Sequence, residues 1–290
     1  MRGAASLKEY SNIMTKNAVR TFGIKEFSSA NSELEQAVEE IKLLGYTIVP
    51  GVLNPEELVA ARTKIDQVYA DQLDEIGGEQ QLTEINDAHT ARCPLAYDEF
   101  FLSVATSKKV LSIVEMFLGD YFVLMLQNGV INAPGVGNEQ NAGYWHRDLN
   151  YQHFISTRPI SISALFCIDD FSEEAGGTFV LPASHKTEAF PSEEFVLKNE
   201  TVVNAPAGAA IVFDSMLYHR GGHNRSTHPR RGLNHMYTLP LIKQQISLPG
   251  MLKGKFSEDP FLKKFLGYDS ESDESVIEFR RKRLGRLQPR

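Results

Sequence analysis

The chain has 290 residues, 42% hydrophobic and 23% charged, and its 30 Lys and Arg against 37 Asp and Glu give a formal charge of −7. That balance argues against a protein that tracks nucleic-acid phosphates, and no apolar run reaches the roughly 20 residues of a membrane span. Two cysteines, Cys93 and Cys167, are too few for a disulfide framework, a Cys-rich zinc site or a thiolate cluster, which leaves His and carboxylate as ligands for any metal.

The length fits one domain over 1–290, and the start, MRGAASLKEYSNIMTK, lacks a secretory apolar core, so a cytoplasmic protein is expected. Residues 31–44 carry Leu34, Val38, Ile41 and Leu44 at helical spacing. GYTIVPG (45–51) reads as a short strand, and Asn54-Pro55-Glu56-Glu57 opens a helix running to about Leu73 with an N-cap residue, a first-position proline and acidic first-turn charges. Residues 74–93 read as a polar loop, and 97–118 as one long helix or two. From 121 the texture changes to short apolar or alternating segments (YFVLMLQNGVIN, RPISISALFCID, GGTFVLP, TVVNAP, AAIVFDS, LNHMYTLPLI) divided by Gly, Pro, Asn and Ser. A helical part over about 31–118 followed by strands over about 121–242 predicts a mainly β jelly roll with N-terminal helices packed on one side. The tail, about 251–290, reads as a final helix and a solvated end whose basic residues, Lys282 among them, balance acidic neighbours.

The chemistry concentrates in GYWHRDLNYQH (143–153), where His146 and Asp148 stand two apart. Residues two apart on a strand share a face, so an imidazole and a carboxylate could hold one cation together. A third ligand is available in FDSMLYHRGGHNRSTHPRRGLNHMY (213–237), which offers His219, His223, His228 and His235. Two histidines and a carboxylate on one face of an octahedron leave adjacent positions open, the arrangement of non-haem Fe(II) oxygenases.

Residues 143–231 resemble the phytanoyl-CoA dioxygenase family of Fe(II)- and 2-oxoglutarate-dependent oxygenases. WHRDLNY (145–151) is similar to the family's first metal motif. YHRGGHNRS places His219 at the distal histidine, with Asn224 and Ser226 at the expected offsets, and His223 is its nearest rival. EEAGGTFVLPASHK (173–186) is similar to the family's acidic-Gly turn and following strand, with Ala183 in place of the usual glycine. The resemblance implies a double-stranded β-helix, or cupin-like jelly roll, with Fe(II) held by His146, Asp148 and His219 as the catalytic centre. It implies 2-oxoglutarate as co-substrate and O2 as oxidant. Arg230, eleven residues past His219, would clamp the distal carboxylate, with Arg231 as the neighbouring alternative. A serine common in the family two residues past the distal histidine is Gly221 here.

Halogenating relatives carry a small residue at the carboxylate position, so Asp148 points to hydroxylation of a small-molecule metabolite with release of succinate and CO2. Gln127, Arg92 and Tyr151 are the candidate substrate contacts, with Arg158 and Asn150 near the mouth. Residues 74–93 and 135–143 are candidate lid loops, the latter with glycines at 135 and 137. His185 and Asp214 read as structural. No nucleic-acid or membrane partner is expected, and a homodimer would use exposed strand edges or the C-terminal helix. Two other readings stay open on the residues alone: a catalytically silent jelly roll that binds a metabolite, and a metal-dependent hydrolase.

Overall fold

A computed structural model describes residues 19–135, 143–149 and 154–286. Helix α1 (Glu33–Leu44) starts at Ser32, whose side chain caps Glu35 while Glu35 reaches back to the Ser32 amide, and ends at Gly45 in the left-handed conformation. Strand β1 (Tyr46–Val49) follows. Helix α2 (Pro55–Ile76) repeats the same logic with an Asn54/Glu57 capping box and Gly77 beyond its end, so it runs a little past the expected Leu73.

The polar segment 74–93 is not a plain loop. It holds α3 (Glu79–Glu84) and β2 (Thr90–Arg92), a strand whose identity depends on its partner: it pairs with the middle of β3 (Val123–Asn132). Between them, 97–118 divides into α4 (Phe100–Ala105) and α5 (Lys108–Leu118) at Thr106-Ser107. Then come β4 (Ser161–Cys167), β5 (Thr178–Val180), the short α6 (Glu193–Asn199), β6 (Thr201–Val202), β7 (Ala210–Asp214), β8 (His219–Gly221) and β9 (Arg230–Thr238).

The strands form an antiparallel six-stranded sheet in the order β1-β7-β4-β9-β3-β2 and a three-stranded sheet β6-β5-β8. Neighbours distant in sequence are adjacent in the sheet, as a jelly roll requires. Alternation along the strands feeds two cores. One face of the large sheet, with Leu124, Ile162, Ala164, Phe166, Val212, Leu233 and Tyr237, packs under Ile41 of α1, Ile65 of α2, Val104 of α4 and Val114 of α5. The other face, with Cys167, Ile211 and Phe213, meets Val180 of the small sheet and Val203 just beyond β6. Helices therefore cover one side, and the space between the sheets is left for a site.

The start of the tail is less solvated than expected. After α7 (Leu248–Leu252), helix α8 (Pro260–Phe265) buries Phe265 edge-on against Phe122, with ring centroids 6.1 Å apart. Helix α9 (Val276–Arg286) is exposed, and Lys282 pairs with Asp273 and Glu278, the local charge balance expected there. No helix among the described residues is long and apolar enough to cross a membrane.

Candidate metal and co-substrate site

His146 and Asp148 do not sit on a regular strand. Their segment is fixed by three backbone bonds: His146 and His219 exchange both amide-to-carbonyl bonds at 3.0 Å, and the Asp148 amide donates to Ser215 at 3.0 Å. His219 opens β8, a strand that only the pairing with β5 defines. This lacing puts the two imidazoles side by side, with ring centroids 4.3 Å apart, and places Asp148 Oδ1 at 3.9 Å from His146 Nε2 and 3.5 Å from His219 Nε2. One ligand atom from each residue lies within 4.8 Å of the other two.

The tautomers suit a cation. His146 Nδ1 donates to the Tyr144 carbonyl at 2.7 Å and His219 Nδ1 to the Leu217 carbonyl at 3.0 Å. A carbonyl can only accept, so Nδ1 carries the hydrogen and the Nε2 lone pairs face Asp148. Burial and the neighbouring His219 push His146 down to about 4, leaving that ring neutral near pH 7. Burial alone would raise Asp148, but His219, His146 and the Ser163 hydroxyl bring it down to about 2. Burial would depress His219, yet the Asp148 carboxylate beside it raises it.

The other histidines of the segment lie elsewhere. His223 and His228 are exposed, and His235 is fully buried on the helix-covered face of β9. Among the described residues, His146, Asp148 and His219 form the group able to hold a metal.

Arg230 opens β9 and is 5% exposed. Its Nη2 donates to the Gly176 carbonyl at 2.7 Å, its guanidinium lies 4.2 Å from the Phe171 ring centroid, and its Nε has no partner. Burial lowers it to about 10. No acidic side chain pairs with it among the described residues, whereas Arg231, one step along the strand, points to the opposite face and grips Asp66 through two bonds of 2.7 and 2.8 Å. A buried guanidinium with an unused donor suits a carboxylate from solution. The loop carrying it is closed by Asn224, which donates to the Asn132 and His228 carbonyls and accepts from Ser226.

Gln127 does not reach this site. A bulge between Leu124 and Leu126 inserts Met125 into β3 and reverses the alternation beyond it, so Gln127 pairs with His235 on the helix-covered face. There it is fully buried, accepts from the Leu95 amide, and donates to the Phe101 carbonyl and toward His235 Nε2. The same shift turns Asn128 inward, opposite Asn234 of β9, whose buried Oδ1 has no partner. Arg92 pairs with Asn128 at the sheet edge, its guanidinium held by Asp87 and 3.3 Å from Gln245 Oε1. Tyr151, Asn150 and residues 136–142 of the second expected lid loop lie outside the described residues.

Sequence reading also missed Ser163, which donates to Asp148 Oδ2, and Ser215 behind it. The signal was present in RPISISALF, where two serines two apart share one face of an otherwise apolar strand.

The sequence model for phytanoyl-CoA dioxygenase (PhyH) matches residues 42–232. An uncharacterised Mycobacterium tuberculosis protein is 34% identical over 74% of this chain and 79% of its own length. Dioxygenase cdmD of Talaromyces verruculosus is 25% identical over 69% of this chain and 72% of that protein. Among solved structures, the epimerase SnoN in complex with Fe3+, alpha ketoglutarate and nogalamycin RO superposes with a TM-score of 0.55 at 17% identity, over 71% of this chain and 84% of SnoN.

Proposed function

The chain belongs to the phytanoyl-CoA dioxygenase family, and we propose that it is an iron- and 2-oxoglutarate-dependent oxygenase in which His146, Asp148 and His219 hold Fe(II) and Arg230 binds the co-substrate. The observation that carries the reading is the convergence of two Nε2 lone pairs and one carboxylate oxygen within 4.8 Å, in a fold that also buries an unpaired arginine between its sheets.

When bound, iron and 2-oxoglutarate would supply the oxidation with O2, one oxygen atom going to the succinate formed with CO2 and the other to a substrate C–H bond. The protein's part is positioning. Tyr144 and Leu217 carbonyls fix the ring orientations, so both histidines present neutral nitrogens. Arg230 offers its unused donor to a carboxylate in a site walled by Phe171, where water competes poorly for the bond. His146, Asp148 and His219 would hold the iron through three protein atoms, leaving room for co-substrate and oxygen. The substrate is a small molecule, and Asn128 and Asn234 on the inner face of β3 and β9 are placed to line its site.

Anaerobic addition of Fe(II) and then 2-oxoglutarate to metal-free protein tests the assignment. A weak visible charge-transfer band is expected, absent in His219→Ala. Tight binding of another divalent metal with no band in the wild type would overturn it.

A further inference from the structure

Asp148 has two carboxylate oxygens, and the fold treats them differently. Oδ1 faces the two imidazoles at 3.5 and 3.9 Å, while Oδ2 accepts the Ser163 hydroxyl on the other side. Ser163 is fully buried at the centre of β4, with its own oxygen 2.8 Å from Ser215 Oγ; Ser215 Oγ is in turn 2.7 Å from Ser161 Oγ. All three serines are 0–1% exposed. An ionised carboxylate can only accept, so the Ser163 hydrogen is committed to Asp148 and the Ser163 oxygen is left to accept from Ser215. Ser161, which donates to the Tyr237 carbonyl at 3.1 Å, packs its oxygen against Ser215, so that two hydroxyls, Ser215 and Ser163, point their hydrogens one after the other toward Oδ2, the first bond polarising the second. Ser215 also anchors the same residue's backbone, because its carbonyl receives the Asp148 amide.

A carboxylate that is free on both sides can ligate a metal through one oxygen or two. A second bond would occupy a position that a bidentate co-substrate and oxygen need, since two histidines and a singly bound carboxylate already take three of six. We propose that Ser163, backed by Ser215, is a positioning residue that reserves Oδ2 and restricts Asp148 to metal binding through Oδ1 alone, keeping the coordination position that 2-oxoglutarate would occupy. Ser163 touches neither substrate nor co-substrate and acts through Asp148. The inference rests on the oxygenase reading above.

The test separates metal binding from co-substrate binding. In Ser163→Ala, Fe(II) affinity measured by titration of metal-free protein stays within about threefold of wild type, while 2-oxoglutarate affinity, read from the charge-transfer band under anaerobic conditions, falls about tenfold or more, a loss of about 1.4 kcal/mol. Ser163→Thr, which keeps the hydroxyl, restores the band, and Ser215→Ala gives a smaller loss in the same direction. Should Ser163→Ala fail to fold, Ser163→Cys is read in its place, because a thiol fills the same space and is only a weak donor. Wild-type 2-oxoglutarate affinity in a folded Ser163→Ala or Ser163→Cys protein would overturn the proposal while leaving the oxygenase reading intact. Absence of the band from wild type would instead remove the oxygenase reading itself.

Discussion

On the proposed reading, Arg230 is a residue whose placement costs stability for the sake of binding. A guanidinium 5% exposed, with one bond to Gly176 and no carboxylate partner among the described residues, is poorly compensated in the fold. Arg230→Met is therefore expected to melt at or above the wild-type temperature without ligand, yet to lose about 10- to 100-fold in 2-oxoglutarate affinity. The loss follows from charge-assisted hydrogen bonds worth about 1.5–3 kcal/mol. Calorimetric melts and anaerobic titration of the same protein check both halves. Gln127 behaves in the opposite way. Gln127→Leu strands the Leu95 amide and the Phe101 carbonyl, so a loss of about 2–3 kcal/mol in denaturant unfolding is expected with 2-oxoglutarate affinity unchanged. A co-substrate or substrate defect at unchanged stability would return Gln127 to the site.

Asp214 carries a pH dependence of its own. It ends β7 on the helix-covered face, accepts from the Met216 amide, and faces Lys186 and Arg147, which lower it, but burial prevails and raises it from 3.8 to about 6. A folded-state value above the unfolded one means that the folded protein binds the proton more tightly. The contribution is thus fully present below pH 4 and lost as pH rises through 6. From this group alone, stability should fall by up to about 3 kcal/mol between pH 4 and pH 8. Asp214→Asn, which keeps an acceptor for Met216, should flatten that part of the profile in urea titrations across the range. An unchanged slope would assign the dependence to other groups.

At the level of elements, the site is assembled by turns and by one irregular strand. Gly176, between β4 and β5, has φ +71°, and a Cβ there would stand 2.5 Å from Asn132 Nδ2, 2.7 Å from the Gly222 carbonyl and 2.8 Å from the Asn224 amide. Its carbonyl is also the one that Arg230 holds. Gly176→Ala is expected to lower the melting temperature and weaken 2-oxoglutarate binding together, because backbone on both sides cannot yield without moving the Arg230 loop. The Met125 bulge acts on a larger set of residues. One extra residue exchanges the faces of the rest of β3, sending Gln127 into the helix-side core and Asn128 between the sheets.

Across the whole molecule, a ligand that binds only the folded state stabilises it by mass action. Fe(II) with 2-oxoglutarate at 100 times its dissociation constant should add about 2.7 kcal/mol and raise the melting temperature by a few degrees. Asp148→Ala should abolish that increment, and a metal chelator should reverse it in wild type; both are read by thermal melts under anaerobic conditions.

Much of this architecture was legible in the chain itself. Capping residues at Ser32 and Asn54, the change from helical to strand texture near 121, and the His146/Asp148 pair two residues apart are local properties, written in neighbouring residues and readable without a partner, whereas His219 and Arg230 were singled out by family resemblance. Strands β2 and β8 were not legible, because two or three residues become a strand only when another strand lies beside them. The choice between Arg230 and Arg231, the reversal of Gln127 and the serine chain behind Asp148 likewise depended on pairing register. Sequence determined which chemical groups the protein owns and roughly where the chain bends; tertiary structure decided which face each group presents. Facing is a property of paired backbones, and a single inserted residue is enough to reverse it.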